Sequence, residues 1–248
     1  MSNIILNSAS TNKLIINALS PNKLLLIPSS SIMDSAVAWY DASVPSSFTL
    51  DINDKVEIWH DLSPNGYDVT GITESRRPLY ESVNNRVNFH SAASEGLLNS
   101  LYPNLSQPLT TVGVFESKRA SINQIITYGA GYRQCGTWLA SNNRFYMQIA
   151  NVVITKDIGG VYNWVPNKKY IIIYKWNGAS SRVYINAIGG YANPGATGII
   201  GLRLGYGHYG DYLDGYIHEA AVFDWFLSSE EEQEVTDILQ VKWDVTLP

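Results

Sequence analysis

Leu213-Asp214-Gly215-Tyr216-Ile217-His218-Glu219-Ala220-Ala221-Val222-Phe223, followed closely by Leu227-Ser228-Ser229-Glu230-Glu231, is the stretch on which the fold turns. Asp214-Gly215 is a turn pair, and the residues from Gly215 to Phe223 have the length and content of one strand. Ser228 with Glu231 three positions later is a capping box, and the acidic residues there suit the positive end of a helix. Val235, Ile238, Leu239 and Trp243 then recur at helical spacing and give that helix one apolar face. The sequence predicts a strand handing over to a single C-terminal helix. The acidic run at 230–232 and 234 is helix start and solvated face, not a catalytic cluster.

Upstream the pattern is strand after strand. Runs at 111–115, 124–128, 144–149, 168–176, 182–186 and 199–204 are short and rich in Ile, Val, Tyr and Phe. Asn177-Gly178 between two of them predicts a hairpin. Many short strands with almost no helical periodicity between them mean a sandwich or a barrel.

The 248 residues suit one or two domains, and 45% apolar with 16% charged residues allow a sizeable core. The 16 Tyr, 7 Trp and 6 Phe fit strand-rich structure first, and a recognition surface for a few of them. Net charge is −5, and Arg76-Arg77, Lys118-Arg119 and Lys168-Lys169 are the longest basic runs, read as ordinary solvated surface. Nucleic acid is therefore not an expected partner. Cys135 is the lone cysteine, so no intrachain disulfide forms. The segment 4–27 is interrupted by Asn, Ser and Lys every few residues. It reads as neither signal peptide nor membrane span, so export is expected by another route such as cell lysis.

The first thirty residues repeat with period ten. Ile4-Ile5-Leu6, Leu14-Ile15-Ile16 and Leu24-Leu25-Leu26 superpose, as do Ser10, Ser20 and Ser30. Each unit is a short apolar run closed by turn residues. Such runs need cover on both faces. Either they pack on the main domain as extra strands, or they form an oligomerisation or docking segment. Pro28-Ser29-Ser30-Ser31 signals a linker. The expected division is a β-repeat at 1–33 and a β-sandwich at 34–248.

The opening stretch, with Leu202-Arg203-Leu204-Gly205 before it and Lys242-Trp243 after it, resembles the C-terminal signature of laminin G-like, concanavalin A-like domains. Ala38-Trp39-Tyr40-Asp41-Ala42-Ser43, Val56-Glu57-Ile58-Trp59-His60-Asp61-Leu62-Ser63-Pro64-Asn65-Gly66-Tyr67-Asp68 and Val87-Asn88-Phe89 resemble the start of the same domains. Pro64 stands where Gly is usual, and His60 where Asn is common. The resemblance spans about residues 36–245 and implies an all-β jelly-roll sandwich with a short C-terminal helix, and Trp39, Trp59 and Trp243 in the framework. The layout is similar to virion structural proteins of tailed bacteriophages: head fibres, decoration proteins and tail adhesins. By that analogy the chain is expected on a virion surface, as a homo-oligomer, with a trimer the form common in such appendages. Other virion proteins would be met through residues 1–33. Fold alone does not fix function.

Glucanases of this sandwich class carry Glu-x-Asp-x-x-Glu on one strand face. No Glu-x-Asp occurs in this chain. Of the nearest acidic groupings, Asp214 and Glu219 read as structural, and Asp61 as a side-chain turn with the 63–66 loop. No enzyme is expected. His60, His90, His208 and His218 lack metal-ligand spacing. A laminin G-like calcium ion would fall to Asp211 or Asp157, but nothing has the density of an EF-hand loop, and neither metal nor cofactor is expected. Sandwiches of this class bind ligands with loops at one edge or with the concave sheet, and sugars stack on aromatic rings. Two Tyr- and Gly-rich loops fit. One offers Tyr206, His208, Tyr209, Asp211 and Tyr212; the other offers Tyr132 and Arg133. Tyr128 and Trp138 border strands and read as packing. The leading expectation is a non-catalytic glycan-binding virion surface protein. The alternative is a purely structural capsid or tail cement protein, and a glycan hydrolase stands third.

Overall fold

The computed structural model describes residues 13–16, 24–27, 31–99, 101–119, 124–128, 135–139, 145–149, 152–155, 165–193, 195–196, 198–207 and 212–247. Lys13–Ile16 pairs antiparallel with Leu24–Ile27 as a two-stranded sheet of its own. These are the second and third apolar runs of the repeat; the first, Ile4-Ile5-Leu6, lies outside the described residues.

The main body is two antiparallel sheets. The first runs Ile188–Ala192, Ser181–Ile185, Lys169–Trp176, Leu109–Ser117, Gly215–Phe223, Arg86–Phe89 and Leu79–Glu81, with Ala38–Asp41 lying beside Gly215–Phe223 on the same side as Arg86–Phe89. The second runs Val152–Thr155, Phe145–Ile149, Cys135–Leu139, Gln124–Tyr128, Leu202–Leu204, Leu97–Asn99, Val69–Gly71, Val56–Trp59 and Phe48–Leu50. The strands read from sequence between 111 and 223 are all present. The hairpin at Asn177-Gly178 is wider than a two-residue turn: Gly178 takes a positive φ, but a short 3₁₀ turn over Gly178–Ser180 follows it.

Trp59, Trp176, Phe89, Phe115, Phe223 and Tyr40 are completely or almost completely buried in one core. Phe48 stacks on Trp59 and on Tyr80, so the outermost strand of the second sheet is pinned to that core through its side chain. Leu109–Ser117 is buried along its whole length, not on alternate residues. Its second face is covered by other parts of the chain, as long central strands with continuous apolar runs require.

The C-terminal helix, Ser229–Trp243, starts at the capping box as read: Ser228 Oγ accepts from Glu231 N, and Glu231 Oε2 accepts from Ser228 N. Val235, Leu239 and Trp243 are buried. The helix is fixed to the first sheet by polar contacts as well. Lys175 Nζ donates to Glu232 Oε2 at 2.9 Å, and Lys169 Nζ donates to the carbonyl of Trp243 at 3.0 Å.

Register explains how two consecutive polar residues come to be buried. Val114 pairs with Glu219 and Phe115 with Ile217, so His218 is the extra residue of a β-bulge. A bulge re-aims a side chain that strict alternation would send to the other face. His218 packs against the Trp243 ring at 5.1 Å, and Glu219 reaches the same tryptophan. Glu219 accepts from Trp243 Nε1 at 2.6 Å, Lys242 Nζ at 2.7 Å and Trp39 Nε1 at 2.8 Å. Asp41, its register partner, accepts from Lys242 as well. Burial pushes the Glu219 carboxyl up, and Lys242 pulls it back.

The scattered signature residues thus meet at one point. Asp61 does form the turn read for it, accepting from Ser63 N and Tyr67 N, and it also holds the Trp39 amide. Of the basic pairs read as solvated surface, Lys168 and Arg119 are exposed as read, whereas Arg76, Arg77, Lys118 and Lys169 are half-buried and hold partners. Arg77 pairs with Glu57 at 2.8 Å, Arg119 with Asp214, and Lys118 Nζ donates to Asn88 at 2.7 Å. Glu57 and Asn88 on strands, and Asp214 just before one, sit beside these residues in space although distant in sequence.

Two stability predictions follow from the buried polar residues. Lys242→Met leaves Glu219 and Asp41 buried without their cation and lowers unfolding free energy by about 3–5 kcal/mol in urea titrations; a loss under about 1 kcal/mol contradicts the assignment. His218 is almost wholly buried, with Nε2 3.5 Å from Glu116, beyond a good hydrogen bond. Burial holds its pKa below the ordinary 6.5, against the pull of Glu116, with Lys169 and Arg86 also lowering it. A depressed folded-state pKa gives stability that is present above the unfolded value and lost as pH falls below it. Wild-type stability should therefore decline from about pH 6.5 downward, before the carboxylates titrate, and His218→Phe should flatten that part of the curve.

Candidate functional site

At one end of the second sheet three segments come together. They are the turn between Phe48–Leu50 and Val56–Trp59, the chain leaving Val69–Gly71, and the chain leaving Leu202–Leu204. Gly205 begins the last of these with φ +80, where a side chain would be strained and a Cβ would collide with the Phe89 ring. This is the glycine that ends the signature strand. Leu213 N donates to Gly205 O at 2.7 Å, and Tyr206 and Tyr212 form an antiparallel bridge, so the base of the 206–212 loop is closed.

Tyr206 is buried, its ring lying over the bare backbone of Gly96. Tyr212 is half-buried, and its ring is near parallel to that of Tyr206, at 17° with centroids 6.1 Å apart. Arg76, from the turn Glu74–Arg76, donates through Nη2 to the Tyr212 hydroxyl at 2.6 Å and through Nε to the Ser94 carbonyl at 2.7 Å. Its guanidinium carbon is 5.3 Å from the Tyr212 centroid. Arg203 lies over the Tyr206 ring at 4.9 Å. Burial pushes the Tyr206 hydroxyl pKa up, while Arg203 and Arg76 both pull it down.

The turn that carries Arg76 also lines an open pocket of about 470 Å³ with Thr73, Glu74 and Ser75, facing Asp51, Asn53 and Lys55. Asp51 is held below its usual pKa chiefly by the Asn53 amide. Lys55 Nζ donates to Glu95 at 3.1 Å and to the Arg77 carbonyl at 3.0 Å. Ile52 between the pocket residues is fully exposed.

Of the residues read as ligand-binding, the structure brings Tyr206 and Tyr212 together. His208, Tyr209, Asp211, Tyr132 and Arg133 lie outside the described residues. Sequence reasoning missed Arg76, Arg203 and the 73–75 turn. Arg76 reaches Tyr212 across 136 residues, and no local signal joins them.

One hydroxyl–imidazole–carboxylate chain stands on the second sheet. Thr49 Oγ1 is 3.0 Å from His60 Nε2, and His60 Nδ1 is 2.8 Å from Asp68 Oδ2. The other Asp68 oxygen accepts from the Asp61 amide, and Asn99 holds the Asp68 carbonyl. Thr49 lies on the edge strand Phe48–Leu50 and His60 directly follows its neighbour Val56–Trp59, so the chain ties that edge to the 61–68 loop. Among the described residues no group of three or more His, Cys, Asp or Glu could hold a metal ion, and no helix is long and apolar enough to cross a membrane.

No protein-family model matches the chain, and no curated protein matches its sequence. Among solved structures it is similar to Trypanosoma rangeli sialidase. The covalent intermediate with 2,3-difluorosialic acid is 13% identical with TM-score 0.54, over 94% of this chain and 36% of that one. The complex with the inhibitor DANA is 12% identical with TM-score 0.55, over 85% and 33%. The chain spans about a third of the length of these sialidase structures. At such identity the likeness concerns fold alone, and the protein is a concanavalin A-like jelly-roll β-sandwich with one C-terminal helix.

Proposed function

We propose that this β-sandwich is a non-catalytic glycan-binding module displayed on a bacteriophage virion, with its binding surface at the Arg76–Tyr212 end of the second sheet. The observation that carries the reading is Tyr212: a half-exposed ring held parallel to a buried tyrosine and fixed at its hydroxyl by a guanidinium. A sugar presents an apolar C–H face beside directional hydroxyls, and a rigid ring flanked by planar donors complements both. The adjoining pocket is lined by polar side chains suited to hydroxyls. The likeness in fold to a sialidase seen with sialic acid is in keeping with a sugar ligand.

The absence of chemistry is part of the proposal. The chain has no Glu-x-Asp-x-x-Glu strand, and the Thr49–His60–Asp68 chain is accounted for by edge-strand tethering. Display is assigned to residues 1–33, whose second and third apolar runs pair as a hairpin, and which would join copies of the chain and other virion proteins. Many copies on one particle would turn weak contacts into useful avidity.

Full-length protein on a broad glycan array should bind selectively, and Tyr212→Ala should weaken that binding at least about tenfold. Removal of 1–30, which keeps the buried Met33 of the sandwich core, should abolish assembly and leave single-site affinity unchanged. Release of reducing ends from a bound glycan would contradict the non-catalytic reading. No binding by the folded oligomer would favour a cement role.

A further inference from the structure

Arginines elsewhere in the described structure are neutralised or committed to backbone. Arg77 pairs with Glu57 and Asp51, Arg86 with Glu81 and Glu116, and Arg119 with Asp214. Arg182 donates to the carbonyls of Ser180 and Ser181. Arg76 and Arg203 differ: both are half-buried, both meet tyrosines, and among the described residues neither meets a carboxylate. In a chain of net charge −5, two guanidiniums near one aromatic pair, with no acidic partner among the described residues, are a positive spot that the described residues leave uncompensated. A partly desolvated guanidinium without an anion is unfavourable unless one arrives with a ligand.

We infer that the ligand of this surface is an acidic glycan, whose anionic group is held by Arg76 and Arg203 beside Tyr206 and Tyr212. The inference rests on the glycan-binding reading above and names the ligand's class. Arg203 supplies the freer fork, since no hydrogen bond within the described structure occupies it, whereas Arg76 has Ser94 and Tyr212 as partners and also orients the Tyr212 ring. The planar fork suits a carboxylate or a sulfate equally in shape. On the other side of the Glu74–Arg76 turn, the charged groups lining the pocket are Glu74, Asp51 paired with Arg77, and Lys55 paired with Glu95, so the unpaired guanidinium charge lies on the arginine side and the neutral remainder of the glycan falls toward the pocket.

The test is calorimetric titration of the full chain with two matched pairs: trigalacturonate and its methyl ester, and a sulfated glucan oligosaccharide and its unsulfated parent. At least one acidic form should bind roughly tenfold more tightly than its neutral partner, and the pair that discriminates identifies carboxylate or sulfate as the source. Arg203→Gln should remove most of that preference while changing affinity for the neutral form less than about twofold. Raising salt from about 50 to about 300 mM should weaken only the acidic form. Arg76→Lys keeps a charge but loses the fork, and should reduce the preference in part. Equal affinity for both members of both pairs, or an acidic preference untouched by Arg203→Gln, overturns this inference while leaving glycan binding in place. No binding of any of the four probes, with array binding also absent, overturns the glycan reading and this inference with it.

Discussion

A single buried carboxylate holds the two ends of the domain together. Glu219 accepts from Trp39 near the start of the sandwich and from Lys242 and Trp243 at the end of the terminal helix. A carboxylate cannot be taken from water without partners that replace its hydration. Glu219 therefore dictates what surrounds it: two indole N–H donors, one ammonium, and Asp41 sharing that ammonium from the neighbouring strand. The bulge at His218 makes the arrangement sterically possible, because it brings Glu219 round to the helix-covered face.

The same frame positions the candidate site. Gly215–Phe223 is central to the first sheet, and the segment that precedes it in sequence, from Gly205 to Leu213, crosses from the second sheet. Its near end is set by Gly205 on Phe89, a residue of the first sheet's Arg86–Phe89 strand. Its far end is set by Asp214, which pairs with Arg119. A loop anchored this way at both feet can present Tyr212 in one orientation, and Arg76 then fixes the ring from a third segment. Rigid support of this kind lowers the ordering cost that a sugar-binding surface must otherwise meet on binding.

How much was legible depended on whether a residue's partner could be known from sequence. Asp61 was readable because its acceptor role is satisfied within a few residues, by the amides of Ser63 and Tyr67. The capping box at Ser228 and Glu231 was readable for the same reason. The signature residues Trp39, Glu219, Lys242 and Trp243 were recognisable by order and spacing, although the pattern did not say that they touch. The bulge at His218 was invisible, since it exists only as a mismatch in register against Val114 and Phe115. Tyr206 looks exposed in a glycine-rich stretch, yet it is buried because Gly96, more than a hundred positions upstream, leaves room for its ring. Arg77 and Lys118, half-buried members of pairs read as solvated surface, were missed on the same point, their partners Glu57 and Asn88 being supplied by other strands.

The most direct test of a binding surface at the Arg76–Tyr212 end is a crystal structure of the full chain soaked with the tightest array-selected glycan. The expected result is a sugar ring with its C–H face on Tyr212 and a polar substituent within hydrogen-bond distance of Arg76 or Arg203. A sugar seated elsewhere, such as the outer face of the eight-stranded sheet, with the Tyr212 end empty, would contradict it.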